Sequence, residues 1–403
     1  MDANNPPAPL GHLSTGQLHS LVTRFYQGES AKHLVKEFGI ACTAAKLHSI
    51  MPPALISGRL CPACGAQMQI AAVNRTSSRY GYLPVVVRCS GCEHYEHASC
   101  GCAFCVRVRQ QQAENEERHR RELIREFLGR DGETKSALRT VESLSLREAV
   151  AFISMVRACG YINETTLGSI DFSGTPLSPT YGYSQELIDL LRNARLIQAS
   201  LQSSTHAFTF SESEITNCYF ERLSWDLLVT DAKELVRELE NVALSGNWPA
   251  SWHDESEALW SELALAEAIQ FFAYCAQKRS WRPNLGDATN AMLRNLLRDH
   301  SVAQCYRIVW GGAQQTADYQ ALKKIPNPHA ANVFIGACQR WADRARAENW
   351  EVKPFRRNFE LPRTVVSYVL HDVFFKIGER GFSERIRTIN PAQPDIPELM
   401  VLE

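Results

Sequence analysis

Seven of the thirteen cysteines fall between residues 61 and 105. Four of them form two Cys-x-x-Cys knuckles, Cys61-Pro-Ala-Cys64-Gly and Cys89-Ser-Gly-Cys92-Glu, with 24 residues between them. Each knuckle turns two thiols toward one point, so the pair offers four thiolates in the tetrahedral arrangement that Zn²⁺ takes. Cys100, Cys102 and Cys105 follow, with His94 and His97 just upstream. Seven thiolates and one imidazole are enough donors for two four-coordinate ions. His97, three residues before Cys100, is the expected fourth ligand of the second site; His94, close behind Cys92, is the alternative. Soft thiolates in such pairs select zinc or an iron–sulfur cluster, and zinc, as two ions, is the expected cofactor.

Disulfides are the other use of a cysteine cluster. The polar, proline-rich start, MDANNPPAPLGHL, is not an apolar export signal. The other six cysteines are scattered among apolar neighbours as buried thiols are, and the total is odd. These features point to reduced thiols and a cytoplasmic location. No apolar run reaches the ~18 residues of a membrane span; the longest candidate, 365–377, is interrupted by Ser367, His371, Asp372 and Lys376.

Spacing and punctuation organise the rest. Residues 1–12 lack periodicity and read as a disordered tail. From Ser14, Leu18, Leu21, Val22 and Phe25 recur at helical spacing. A second short helix begins after Ser30 and closes at Gly39, and a third is expected over 43–50, ahead of Pro52-Pro53. The stretch Gly28–Ile50, with Ala31, Leu34 and Val35 on the middle helix and Phe38-Gly39-Ile40 at the turn, resembles the helix-turn-helix of site-specific invertases and transposases. The resemblance covers about 40 residues, domain 13–53, and implies DNA as a partner. The exposed face of the third helix offers Thr43, Lys46, His48 and Ser49, a set better suited to phosphates than to base edges.

The metal module spans 54–106. Its knuckle spacing is that of a zinc ribbon, with MQIAAVNR and YGYLPVVVRC as the hairpin strands. Arg75, Arg79 and Arg88 with Tyr80 and Tyr82 give it the basic and aromatic character of a nucleic-acid surface; a purely structural ribbon is the alternative. With Lys32, Thr43, Lys46 and His48 these arginines form the candidate nucleic-acid contacts. Residues 1–110 hold ten Lys/Arg against five Asp/Glu, and the remainder 33 against 39. A mildly basic head thus precedes a mildly acidic body.

Residues 107–143 read as a charged helix and linker, with i,i+4 pairs Glu114/Arg118, Glu116/Arg120 and Glu117/Arg121. Ser145 with Glu148 forms a capping box. The helix over SQELIDLLRNARLI, running into apolar IQAS and then HAFTF, resembles a winged-helix domain over 144–211. Beyond 212 the chain is helical, with helices expected over 231–244, 254–278, 285–300, 330–349 and 363–376. Trp310-Gly311-Gly312 reads as a turn. The expected fold class is mainly α: a trihelical helix-turn-helix and zinc-ribbon head on a multi-helix body with a winged-helix unit.

Catalytic motifs are missing. The sequence holds no P-loop, GxSxG, HExxH or GxGxxG. Residues 65–88 contain neither His nor Asp, so an HNH-type nuclease between the knuckles lacks its base, and no H-x-E precedes a P-C-x-x-C as a zinc deaminase requires. His371-Asp372 and the basic, aromatic segment Lys353-Pro-Phe-Arg-Arg-Asn-Phe359 are the polar features of the C-terminal third. The expected function is a non-enzymatic, DNA- or nucleic-acid-binding zinc protein within a larger assembly, whose helical body binds protein partners without a small-molecule cofactor. The alternatives are a zinc-headed adaptor or scaffold of a bacterial defence or mobile-element complex, and a nuclease whose active site carries no familiar motif.

Overall fold

The computed structural model describes residues 8–70, 87–129, 138–170, 174–282 and 285–389. It is mainly helical. The chain divides into two compact units, Met1–His119 and Arg120–Glu403, with the boundary inside one helix. The body expected as separate 144–211 and 212–403 domains is a single unit, because one apolar core runs from Ile124 to Ile389.

In the first unit, α1 (Thr15–Tyr26) starts at a Ser14/Gln17 capping box and α2 (Ala31–Glu37) follows. The exit from α2 is built from the sequence Phe38-Gly39-Ile40. Gly39 takes φ +59°, and the Ile40 N–H reaches back to the Val35 carbonyl at 3.0 Å, a Schellman closure that only a residue tolerating positive φ allows cheaply. Ile40 is thereby buried with Leu21, Phe25, Leu34, Leu47 and Met51. Helix α3 (Leu47–Ile50) is shorter than the expected 43–50; Thr43–Lys46 forms a turn in its place, closed by Lys46 N–H to Thr43 O at 2.9 Å. Arg24 fixes α1 to α2 by pairing with Glu29 (2.6 Å) and Glu37 (2.7 Å).

A three-stranded antiparallel sheet follows, β1 (Ala54–Leu60), β2 (Gln67–Ile70) and β3 (Val87–Cys89), in that order. β1 carries no apolar alternation, which is why the sequence does not announce it. The rest of the expected hairpin strands, with Arg75, Arg79, Tyr80 and Tyr82, lies outside the described residues. Tyr26 Oη donates to Pro52 O (2.9 Å) and to Ile70 O (3.2 Å), tying the helices to the sheet. Helix α4 (Ala103–Gly129) is exposed throughout 106–119 and buries Ile124.

The second unit opens with α5 (Leu146–Cys159), capped by Ser145 and Glu148 as the sequence predicts. Strand β4 (Thr166–Leu167), helix α6 (Tyr181–Asn193) and β5 (Ile197–Ala199) follow. β5 does not pair with HAFTF as expected. That segment, as β6 (Phe208–Phe210), forms its own hairpin with β7 (Ile215–Cys218). β5 instead pairs with β8 (Trp225–Leu227), which lies between β4 and β5 and extends the small sheet beyond residue 211.

Helices α7 (Ala232–Ser245), α8 (Ala250–Gln277), α9 (Asp287–Asp299), α10 (Val302–Lys323) and α11 (Asn327–Ala347) complete the bundle. α10 corrects the sequence expectation: Trp310-Gly311-Gly312 is mid-helix, not a turn. The glycines are needed for contact, not for chain reversal. A Cβ on Gly312 would lie 2.7 Å from Cys338 Sγ and 2.9 Å from the Cys338 backbone N, and one on Gly311 would lie 2.7 Å from Trp341 Nε1. The helix propensity lost at two glycines is offset by the close packing of α10 on α11.

Helix α12 (Val365–Tyr368) widens into a π turn over Val369–Phe374, and a short α13 (Arg380–Ser383) follows. The π turn holds His371, 1% exposed, with neither ring nitrogen hydrogen-bonded. The ring packs on Gly381, where a Cβ would lie 2.4 Å from its Cγ, and against Trp260. Burial, then the Arg363 and Arg357 guanidinium groups, push its pKa down to about 3. Neutral, closed in by Gly381 and Trp260, and without a carboxylate partner, it is a core residue.

Two outcomes follow from this core. Gly312→Ala places a methyl against backbone, and overpacking of this kind costs roughly 1–3 kcal/mol; denaturant titration should show the midpoint falling with an unchanged m-value, whereas an unchanged midpoint would mean α10 and α11 separate easily. His371 binds a proton in the unfolded chain below its ordinary value of 6.5 but in the folded chain only near 3. Its contribution is therefore present at neutral pH and lost as pH falls through that window, by roughly 1.4 kcal/mol per pH unit. The wild-type-minus-His371→Leu difference in unfolding free energy, measured from pH 7 to 4, should show that slope.

Candidate metal centres

The first centre is built by the two knuckles. Gly65, at φ +75°, closes the first, with its N–H on Cys61 O at 2.9 Å. Gly91 sits in the second, and a Cβ there would lie 2.9 Å from Ala66, so the knuckles approach as closely as backbone allows. Cys61, Cys64, Cys89 and Cys92 bring their Sγ atoms within 4.8 Å of one another. Cys61–Cys92 is 3.7 Å and Cys64–Cys89 is 3.3 Å. A tetrahedral ion with bonds of about 2.3 Å separates its sulfurs by about 3.8 Å, so the four thiols fit zinc. Backbone N–H groups point at the sulfurs: Ala63 to Cys61 (3.4 Å), Gly91 to Cys89 (3.2 Å) and Cys92 to Cys89 (3.3 Å).

The second centre consists of His94, Cys100, Cys102 and Cys105, again within 4.8 Å of one another. His94 Nδ1 lies 3.7, 3.5 and 3.2 Å from the three sulfurs in that order. This corrects the expected ligand. His97 is exposed, and its Nδ1 contacts Ser99 Oγ at 2.7 Å. His94 is chosen by the tight reversal after the second knuckle, in which Cys89 N–H donates to His94 O (2.8 Å) and Arg88 bridges Tyr95. That reversal turns Cys92 to one ion and His94, two residues on, to the other. The proximity to Cys92 that argues against His94 in the sequence is what places it. Phe104 stands edge-on to the His94 ring, and Arg109 donates to Ala98 O (3.0 Å) and Cys100 O (2.7 Å), so the first turns of α4 are anchored to this centre.

Charge explains why these clusters call for a cation. At Cys89 burial opposes ionisation, but the Gly91 N–H and the neighbouring thiols outweigh it and bring the pKa down to about 6. At Cys92 the His94 N–H favours the thiolate, yet burial and the surrounding thiols raise the pKa to about 12. The second centre repeats the pattern, with Cys100 down to about 6 and Cys105 up to about 11. One thiol in each set ionises readily and thereby blocks the others, unless a divalent ion balances the charge. The donor sets leave no open position on a four-coordinate ion, as in structural rather than catalytic zinc sites.

A third group, Glu29, His33 and Glu37, is close enough to ligate, but Arg24 fills it. Arg24, then His33, hold the Glu29 carboxyl down at about 2. Of the expected nucleic-acid contacts, Lys32, Thr43, Lys46 and Arg88 are exposed, and His48 is half-buried. Lys36, on α2, is exposed as well. No known family, curated protein or solved structure matches the chain. No helix among the described residues is long and apolar enough to cross a membrane.

Elemental analysis should return two zinc ions per chain. His94→Ala should lose one of them and His97→Ala neither. Because 106–119 has nothing to bury, loss of the second centre should also abolish amide-exchange protection over the first turns of α4, whereas Cys61→Ser should leave those turns protected and unfold the sheet.

Proposed function

We propose that this chain is a zinc-organised nucleic-acid-binding protein, in which the 1–119 unit contacts DNA and the 120–403 unit binds protein partners. The observation that supports the reading is the joining, within one unit, of two four-donor Cys/His clusters to a trihelical module with the Phe38-Gly39-Ile40 turn. Lys32 and Lys36 on α2, Lys46 before α3 and Arg88 on β3 are exposed cations without a carboxylate partner among the described residues. They suit phosphates. The short α3 offers few side chains to base edges, so binding should be mainly to the backbone.

A second reading, a zinc-headed adaptor, is favoured by the order β4-β8-β5 with α5 and α6, which supports a winged-helix-like unit. The exposed side of α6 carries Gln185, Glu186, Arg192 and Asn193, with half-buried Asp189, and the adjoining hairpin loop carries Glu212 and Glu214. Glu186 pairs with Arg147 and Asp189 with Arg192, exposed Arg195 follows α6 and exposed Arg222 follows the hairpin, so the surface is of mixed charge and suits a protein.

Electrophoretic or anisotropy titration of duplex DNA with the full chain, across a salt series, decides between them. Lys46→Gln should weaken binding about equally on unrelated duplexes and lower the salt slope by ~0.9. A sequence-dependent loss would make α3 a base reader. Absence of salt-dependent duplex binding would leave the adaptor in front.

A further inference from the structure

We propose that segment 352–361 of the second unit, with the face of α10 it covers, is a platform for single-stranded nucleic acid. The segment forms neither helix nor strand, yet it is pinned at three points. Gln304 Nε2 donates to Val352 O at 2.9 Å, the Phe355 N–H donates to Ala303 O at 3.0 Å, and Arg357 Nη1 donates to Glu267 at 2.9 Å. Glu267 is 1% exposed. A buried ion pair is a weak source of stability, since its desolvation cost rivals its attraction. Here it fixes a loop that has no backbone ladder of its own.

What the pinned loop presents is specific. Val352 is buried and Arg357 is held by the core, while Lys353, Arg356 and Phe359 are exposed. Phe359, at 89%, is the most exposed large apolar side chain among the described residues. Beneath it in sequence, Phe355 packs edge-on to Trp310 (5.8 Å), and the Arg307 guanidinium lies over both rings at 5.3 and 5.5 Å. Arg307, Lys353 and Arg356 have no carboxylate partner among the described residues. Of the loop's acids, Glu360 is neutralised by Lys278 at 2.7 Å, leaving Glu351. The local balance is therefore positive in a unit that is acidic as a whole.

Unpaired cations flanking rings on an immobilised backbone match the two needs of a single strand, charge along the phosphates and an aromatic face for an unstacked base. A duplex keeps its base faces covered and gains only the first. Lys353 and Arg356, exposed in the same segment as Phe359, would add a desolvation cost to any protein that covered the segment.

The test is anisotropy of a fluorescein-labelled oligothymidylate of about 15 nucleotides with the full chain and its variants, their folding checked by thermal melting. Phe359→Ala should weaken binding roughly 5- to 150-fold, the loss expected for one stacked base. Arg356→Gln should lower the salt slope by ~0.7, and Lys46→Gln in the first unit should leave the affinity within about twofold. Undiminished binding by Phe359→Ala would overturn the proposal. So would no binding by the wild type, the result expected if the loop docks a protein, or a loss in Lys46→Gln matching that in Phe359→Ala, which would assign the strand to the first unit.

Discussion

Thiolate crowding governs the first unit. Two sets of ligands, each drawn within 4.8 Å, cannot carry their charge alone. Among the described residues the ribbon's fully buried apolar set is Cys61, Met68 and Cys89, two of which belong to the first thiol cluster. So few buried side chains cannot offset the conformational entropy of ordering two knuckles and three strands. An ion held by these clusters would therefore couple its binding to folding, and the Tyr26 hydroxyl links the sheet to the trihelical module through Pro52 and Ile70.

The second unit rests on a different constraint, the close approach of helices. Gly311 and Gly312 let α10 lie against Trp341 and Cys338 of α11, and Gly381 lets α13 lie on His371. Around these contacts the aromatic side chains stack, as Phe272 does on Phe334 at 4.2 Å and Phe271 on Tyr306 at 3.9 Å. Polar groups within this core are held neutral or paired: His371 by burial, Glu267 by Arg357.

The proposed division of labour follows from these two modes of stabilisation. A small unit built around two Cys/His clusters presents cations on short elements. A large unit that depends on packing presents a helix and hairpin of mixed charge on one element set, and on another a loop fixed by a buried ion pair. Helix α4, exposed through 106–119, separates the two in sequence, and its first turns are anchored by the second metal centre.

Much of this was legible in the sequence wherever a local rule carries the information. The two knuckles and the three cysteines after them picked out seven of the eight clustered donors, the Ser145/Glu148 box located α5, and Phe38-Gly39-Ile40 marked the α2 exit, because each depends on residues within a few positions. What failed depended on distant partners. Glycines that read as a turn at 311–312 are helical because α11 lies against them. HAFTF read as the partner of β5, but Trp225–Leu227, about 25 residues downstream, takes that edge. The choice of His94 over His97 rested on how the chain reverses after Cys92, where the Cys89 N–H bonds to His94 O. Sequence alone picked out the Cys/His stretch whose side chains cluster and most of the helical segments, α10 excepted. Tertiary structure decided which imidazole, which strand and which close approach, since those are set by contacts between residues far apart in the chain.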